Sequence, residues 1–432
     1  MKESFPVSTA AEVLAGRTPP QVEVRGWVAR KHTVGGLLFA LIRDGTGYVQ
    51  VSARKGTSDK AYGAARQATK ESAVVVRGNV RDDRRAPGGK EIAASEFEII
   101  SLAESWPITR TAARSPGFLF DKRHLSIRGP KAIAAMRIRT EVIGAAFDYF
   151  REHGFQLISA PTFVQAAVEG GSTLFSVDYF GKKANLSQSA QFYEEAALPA
   201  LQKVWIFQPA FRAEKSKTAK HLTEFWMIEA EQAFTTQAEN MEVQEGLLSK
   251  MVERVLERRQ AELKILGRTL KQPEMPFMMM TYDEARGIAE KKGFGFEWGE
   301  DLPTEAERAI SLTQDSPFFI TDYPLSARSF YHMTYSDRPK VTMSADLIAP
   351  EGIGELATGG QRIHDYNELM SRIASQDLPT ESFGWYLELR KFGMPPHTGF
   401  GIGVERCTRW IAGLKHIRSA SLFPRTVSRI SP

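Results

Sequence analysis

The first quarter of the chain alternates. Between residues 20 and 104 five runs place apolar residues near every second position: VEVRGWVARKH, GLLFALIRD, GYVQVSAR, SAVVVRGNVRDD and EIAASEFEIISL. Side chains along a strand point to opposite faces in turn, so a period of two describes short strands with one face buried. Glycine and polar turns separate the runs, and KAYGAARQA, between the third and fourth, reads as a helix. Five strands with a helix after the third is the order of a small closed barrel, a patterning that more than one kind of small barrel shares.

That order is the order of the OB-fold, a barrel that binds oligonucleotides. Charge points the same way. Residues 1–104 hold 16 Lys and Arg against 12 Asp and Glu, which is +4 of the +5 carried by all 432 residues. A basic quarter suits a polyanion partner, although a solvated basic surface would carry the same charge. The single cysteine, Cys407, rules out a disulfide framework and a cysteine-based zinc site. Eight scattered histidines argue against a metal cage. The N-terminal MKESFPVSTAAEVLAG lacks the apolar core of a signal peptide, and no run approaches 18 apolar residues. A cytoplasmic protein without a membrane partner is expected.

The expected domains are a barrel over 1–104, a linker over 105–129 and a larger α+β domain over 130–432. The linker SWPITRTAARSPGFLFDKRHLSIRG contains two prolines and a basic bias. Lys131–His153 then reads as a helix, with Ile133, Met136, Ile143, Phe147 and Phe150 on one stripe and Gly154 as its cap. Strand-like runs follow (FQLIS, KVWIFQPAF, EFWMIEAEQAF, PFFITDY, SFYHMTY, KVTMSADLIA), interrupted by a mainly helical stretch at about 236–313. Strands broken by whole helical blocks predict a largely antiparallel sheet flanked by helices.

Residues 211–231, FRAEKSKTAKHLTEFWMIEAE, form a strand end, a polar loop with three lysines and a histidine, and a second strand. Arg212 offers a planar fork for a phosphate and Phe225 a face for a base. Alone, the pattern is also that of an exposed hairpin. A second stretch, PHTGFGIGVERCTRWIAGL (396–414), reads as glycine-rich turns before a helix carrying Arg406, a second fixed cation. Upstream, DLIAPEGIGE supplies Asp346 and Glu355, two carboxylates suited to Mg²⁺ bridging phosphates, or otherwise a polar turn.

FRAE…HLTEF resembles the second motif of the class II aminoacyl-tRNA synthetases, and GFGIGVER their third. The helix, strand and Pro161 of GFQLISAPTF resemble the first, which builds a dimer interface. With the barrel, the order narrows the resemblance to the subclass charging aspartate, asparagine or lysine, over essentially the whole chain. The resemblance implies ATP and Mg²⁺ as cofactors, tRNA as partner and a homodimer. It implies that Arg212 holds the α-phosphate and Glu214 contacts adenine or the reaction centre. Phe225 and Arg406 would sandwich the adenine, Arg406 also reaching the γ-phosphate. Asp346 and Glu355 would carry Mg²⁺. His221 and Lys217, in the loop, would meet the nucleotide and the acceptor end of the tRNA. Phe39, Arg43 and Gln50 correspond to the positions that stack on and hydrogen-bond the central anticodon bases. Little covalent chemistry would fall to the protein, so Cys407 is expected to be inert.

For the amino acid, VEGGSTLF resembles the family's mobile loop, whose glutamate (here Glu169) binds the substrate ammonium. Ser189 and Gln191 of LSQSAQFYEE would serve the same end, and Arg362 would read the side-chain oxygen. The aspartate branch carries lysine where this chain has Glu194. Glu195 corresponds to the glutamate that accepts from a carboxamide in the asparagine branch, so asparagine is favoured. A glutamate where Glu194 sits departs from both branches; pointing it to solvent is the ordinary alternative. An aspartate-charging enzyme, able or not to charge both tRNAs, is the second reading. An amide-forming or non-catalytic relative is the third, disfavoured by the intact Arg212, Arg406, Asp346 and Glu355 together with the barrel.

Overall fold

The computed structural model describes residues 5–165, 173–215 and 218–432. Glu169 with its flanking glycines, and Lys217, lie outside the described residues. The chain divides into two compact units, Met1–Leu119 and Phe120–Pro432.

In the first unit a short helix, α1 (Ala10–Leu14), precedes β1 (Gln21–Val34), β2 (Leu37–Arg43), β3 (Tyr48–Arg54), α2 (Asp59–Gln67), β4 (Ala73–Asp82) and β5 (Lys90–Ser101). The strands close into a barrel in the order β1-β2-β3-β5-β4, and only the β3–β5 pair is parallel. The expected alternation holds: Val22, Val24, Leu38, Ala40, Ile42, Val49, Val51, Val74 and Val76 fill the interior. The helix α1 is too short to show a period. It forms through a capping box between Thr9 and Glu12, and Asp44 accepts from the Ala10 amide at 2.7 Å.

The segment expected as an irregular linker is partly helical, with α3 (Pro116–Asp121) and α4 (Arg123–Ser126). Next comes α5 (Pro130–Glu152), within a residue of its expected bounds. Its buried face differs from the expected stripe. Ala134, Ala135, Ile138, Val142, Ala145, Ala146, Tyr149 and Phe150 are buried, whereas Ile133, Met136 and Ile143 are half-buried and Phe147 is 36% exposed. Four of these eight are alanines, and the helix lies close against α7 (Gln237–Arg258): a Cβ at Gly144 would come within 2.9 Å of Arg254.

The remaining strands are β6 (Gln156–Leu157), β7 (Phe163–Val164), β8 (Ser176–Tyr179), β9 (Lys182–Leu186), β10 (Lys203–Phe211), β11 (Glu224–Ala233), β12 (Met278–Thr281), β13 (Phe318–Thr321), β14 (Ser344–Ala349), β15 (Gly354–Gln361) and β16 (His397–Gly403). Eight of them form one sheet, β12-β13-β14-β15-β16-β11-β10-β6, antiparallel except at β12–β13 and β10–β6. A small sheet, β7-β9-β8, stands apart. The helical stretch between β11 and β13 contains α7, α8 (Gln260–Leu266), α9 (Tyr282–Lys291) and α10 (Thr304–Ser311), with the edge strand β12 among them. One face of the large sheet meets α5 and α7 through Trp205, Ile228, Ala230, Ala357, Phe400 and Ile402.

Two expectations about strands fail. SFYHMTY forms turns joined by isolated bridges, such as His332 to Arg362, rather than a strand. The run read as glycine-rich turns is β16, a central strand with β15 and β11 on either side. Glycine is a weak strand former, and here packing overrides propensity.

Candidate active site

The register of the central strands builds the floor of a cleft. Glu229 and Glu231 of β11 lie opposite Gly401 and Gly399 of β16, which in turn lie opposite Thr358 and Gly360 of β15. All six point to the face away from α5 and α7. Glycines are required there because side chains of β11 fill the space: a Cβ on Gly399 would overlap the Glu231 carboxylate, and one on Gly401 would reach Met227 at 2.7 Å. β16 then runs directly into helix α11 (Val404–Ile411), which delivers Arg406 in its first turn.

Over this floor lies a cleft of about 280 Å³ whose lining includes Ser189, Gln191, Arg212, Glu214, His221, Phe225, Glu355, Arg362 and Arg406. Nine residues singled out in the sequence, from five separate stretches, therefore meet at one site. Arg212 follows β10 directly, its amide donating to Thr223 O at 3.0 Å and its guanidinium lying 5.4 Å from the Phe225 ring. Arg406 donates to Glu355 Oε1 at 2.6 Å. Burial alone would raise the Glu355 carboxyl, but Arg406, Lys220 and Arg212 overcome it and hold it down at about 2. Asp346 does not line the cleft. It lies on β14 directly opposite Thr358, one strand further from the cleft, where Thr358 donates to its Oδ1 at 2.8 Å and lies 3.3 Å from Glu355 Oε1. Burial, with Glu355 and Asp301 nearby, raises Asp346 despite its 2.7 Å ion pair with Arg328. His221 is pushed from the usual 6.5 down to about 4 by burial and then by Arg406, so it is neutral at physiological pH.

Glu195 requires correction. It belongs to helix α6 (Gln191–Leu201), but it turns away from the cleft into a buried network. Gln191 donates to it at 2.9 Å, Tyr386 at 2.8 Å, and Arg390 and His397 close the set. Arg390 is its main stabilising charge, holding the carboxyl well below the usual range against the cost of burial. The neighbouring residue faces the cleft instead. Glu194 is 0% exposed and lines the site, so it does not point to solvent. Consecutive helix residues point about 100° apart, and the phase of α6 selects which acid is presented.

Ser189 and Arg362 line the cleft but are already engaged. Ser189 donates to Glu229, which also accepts from the Ala190 amide at 2.8 Å. Arg362 donates to Glu231 through Nη2 at 2.6 Å and Nε at 3.2 Å. The sequence reading missed Glu229, Glu231, Lys220, Arg328 and His332, all of which line the site. A signal existed for the first two: acids spaced by two in FWMIEAEQ share a strand face, as do the glycines of HTGFGIG.

In the barrel unit, Phe39 and Arg43 lie on the outward face of β2, and their cross-strand neighbours on β3 are Ser52 and Tyr48, with Gln50 between them opposite Leu41. Phe39 is half-buried and stacks on His32 at 5.2 Å, so it is not core. Arg43 is less available than expected, because Glu71 takes its two terminal nitrogens at 2.9 and 2.8 Å. Gln50 donates to Glu91 at 3.1 Å.

The family model of class II tRNA synthetases (D, K and N) matches residues 115–427, and that of the OB-fold nucleic acid binding domain matches residues 22–100. The chain is 44% identical over 415 residues to the asparagine–tRNA ligase of Desulforamulus reducens, covering 95% of this chain and 96% of that protein. It is 43% identical over 426 residues to the asparagine–tRNA ligase of Thermococcus kodakarensis, covering 98% of each. The crystal structure of asparaginyl-tRNA synthetase from Pyrococcus horikoshii complexed with asparaginyl-adenylate superposes with a TM-score of 0.95 at 41% identity, covering 99% of this chain and 100% of that one. The chain belongs to the class II aminoacyl-tRNA synthetases of the aspartate, lysine and asparagine group.

Proposed function

We propose that this protein attaches asparagine to its tRNA through an aminoacyl-adenylate formed from ATP. The observation that carries the reading is the single cleft in which Arg212 over Phe225 and Arg406 on Glu355 flank a glycine-opened floor. Two fixed guanidinium groups and an aromatic face are what a nucleoside triphosphate needs. Arg212 takes the α-phosphate, where charge develops as the amino-acid carboxylate attacks and pyrophosphate leaves. Phe225 stacks on the adenine, and Arg406 covers its other face and the γ-phosphate. Glu214 and neutral His221 complete the nucleotide side. Ser189, Gln191 and Arg362 belong to the amino-acid side, joined by Glu169. The terminal ribose hydroxyl of the tRNA then attacks the adenylate. No nucleophilic side chain is needed, and burial pushes the Cys407 thiol far above its usual range.

Asp346 and Glu355 fit Mg²⁺: two carboxylates that meet at the Thr358 hydroxyl are a hard-oxygen pair of the kind this ion uses alongside phosphate oxygens. Among the described residues no group of three or more His, Cys, Asp or Glu is disposed to hold a metal. Bound there, the ion neutralises phosphate charge; Arg406 and Arg328, which hold the two acids, orient them for it.

The barrel takes the anticodon, with Phe39 as stacking face and Gln50 and Arg43 at its edge. The active form is a homodimer, supported by exposed apolar side chains on the catalytic unit at Phe147, Leu157 and Phe163. No helix among the described residues is long and apolar enough to cross a membrane; the proposed place of action, as for the charging of tRNA, is the cytoplasm. The deciding experiment is amino-acid-dependent pyrophosphate exchange with ATP and Mg²⁺, asparagine and aspartate side by side. Exchange with asparagine is expected; exchange with aspartate alone, or with neither, overturns the reading. Sedimentation equilibrium at twice the chain mass checks the dimer.

A further inference from the structure

The cleft contains an acid with nothing to hold. Among the described residues, both carboxyl oxygens of Glu194 are buried without a hydrogen-bond partner, although the residue is 0% exposed and lines the site. A buried polar group left unsatisfied is costly, and one that lines a cleft can be satisfied by what enters it. His332 is similar: it lines the same cleft, is almost fully buried, and its Nδ1 has no hydrogen-bond partner among the described residues. Between them Arg362 is paired with Glu231 and lies 5.3 Å from the Tyr331 ring.

We propose that Glu194 is the residue that reads the side-chain carboxamide of the substrate, one of its oxygens accepting from the substrate NH₂ in a subsite whose own charges cancel. This deepens the asparagine reading and rests on it. The charge count supports the assignment. Arg362 is balanced by Glu231. Burial, then Glu229 and Glu231, push the Glu194 carboxyl well above its usual range, which favours the neutral acid. Burial, then Arg362 and Arg328, push His332 well below its usual range, so it is held as the neutral imidazole. A substrate entering here meets no uncompensated cation. A carboxamide offers a donor and an acceptor without charge, and a neutral carboxyl is its complement: O–H to the substrate C=O, and carbonyl oxygen from the substrate N–H. An aspartate side chain brings a negative charge and no proton to donate. It would leave the Glu194 carbonyl oxygen facing another oxygen, with Glu229 and Glu231 nearby. Glu195 cannot fill the role, because Gln191, Tyr386, Arg390 and His397 already use it.

The test is pyrophosphate exchange with wild type, Glu194→Leu and Glu194→Gln, measuring kcat/KM for asparagine and KM for ATP. In Glu194→Leu, kcat/KM for asparagine is expected to fall about 100-fold through KM, with KM for ATP unchanged, as for a site built to hydrogen-bond its substrate. Glu194→Gln, an isostere of the neutral acid, is expected to stay within tenfold of wild type. Asparagine kcat/KM in Glu194→Leu within threefold of wild type would overturn the assignment and leave the asparagine reading standing. Wild-type exchange with aspartate alone would overturn both. Should Glu194→Leu fail to fold, wild type decides through 2-amino-4-oxopentanoate, which replaces the substrate NH₂ by CH₃. Its inhibition constant is expected to exceed the KM for asparagine at least 30-fold, and equality within threefold would refute the role.

Discussion

Gly399→Ala is the sharpest single perturbation of the cleft floor. Gly399 lies in β16 between Glu231 of β11 and Gly360 of β15, and an added methyl would overlap the Glu231 carboxylate. That carboxylate has no route to water: Glu231 is 1% exposed and Arg362, its partner, is 3% exposed. The strand must therefore bend or the ion pair must open. Opening a buried pair costs about 3–5 kcal/mol, and forcing a methyl into a packed interior costs about 1–3 kcal/mol. β16 is hydrogen-bonded on both sides, so bending is opposed and about 3 kcal/mol is expected. At about 2 cal/mol/K per residue, a unit of this size loses roughly 5 °C of melting temperature. Gly403→Ala is the control for stability, since its nearest neighbour is Arg406 Cδ at an ordinary 3.5 Å and its φ is −78°. Thermal melts of both variants, and exchange kinetics of Gly399→Ala, read the outcome. Gly399→Ala should melt about 5 °C lower with KM for asparagine raised at least tenfold, while Gly403→Ala should melt within about 1 °C of wild type. A Gly399→Ala protein that melts normally and binds asparagine within twofold of wild type would refute the reasoning.

Arg406→Ala removes the cation paired with Glu355 and proposed to cover the nucleotide, and pyrophosphate exchange is expected to fall by about 100- to 1000-fold, as for other losses of a preorganised charge. Exchange within tenfold of wild type would exclude Arg406 from the reaction. Phe39→Ala should weaken tRNA binding by about 1–3 kcal/mol, the worth of one stacked base, while tRNA-independent exchange stays unchanged; filter binding and exchange on the same preparation check it. Stability should fall on acidification. His221 and His416 both titrate at about 4 in the folded chain, against an ordinary 6.5, because burial and neighbouring arginines disfavour the charged ring. Between pH 6.5 and 4 the unfolded chain takes up protons that the folded chain does not, so stability declines as pH falls through that window. Melting curves at pH 7 and 5 should show the drop, and it should shrink in His416→Gln; an unchanged pH slope in that variant would remove His416 from the account.

Most of the architecture was legible because it rests on period. The five barrel strands bury one face each, and alternation reports that directly, down to the helix after the third. The long helix α5 was placed within a residue, yet its inner face was misjudged. The sequence puts Ile133, Met136, Ile143, Phe147 and Phe150 on the inner stripe, but only Phe150 of these is buried; four alanines share that face where α5 nears α7, and that spacing depends on a partner about 100 residues away. The failure at β16 has the same origin. HTGFGIG looks like turn sequence because glycine disfavours strands, and only Glu231 and Met227 on the neighbouring strand explain why positions 399 and 401 lack a side chain.

The cleft shows where sequence reasoning must stop for geometric reasons. Stretches as far apart as Ser189 and Arg406 could be assigned to one site because each carries a local signature of residue types. What no local signature supplies is rotational phase. Glu194 and Glu195 are chemically identical neighbours in α6, and one enters a network of Tyr386, Arg390 and His397 while the other faces the cleft. The choice is set by a tyrosine, an arginine and a histidine about 190 to 200 positions downstream. Replacing those partners should therefore redistribute the roles. Arg390→Met would leave Glu195 buried without its main counter-charge, so its carboxyl should rise toward neutrality at a cost of about 3–5 kcal/mol, the usual penalty for an orphaned buried charge. KM for asparagine should rise far less than in Glu194→Leu, because the acid that faces the substrate is untouched. If instead Arg390→Met raised KM for asparagine as much as Glu194→Leu with normal stability, Glu195 would be the reader and α6 would have to present it to the cleft.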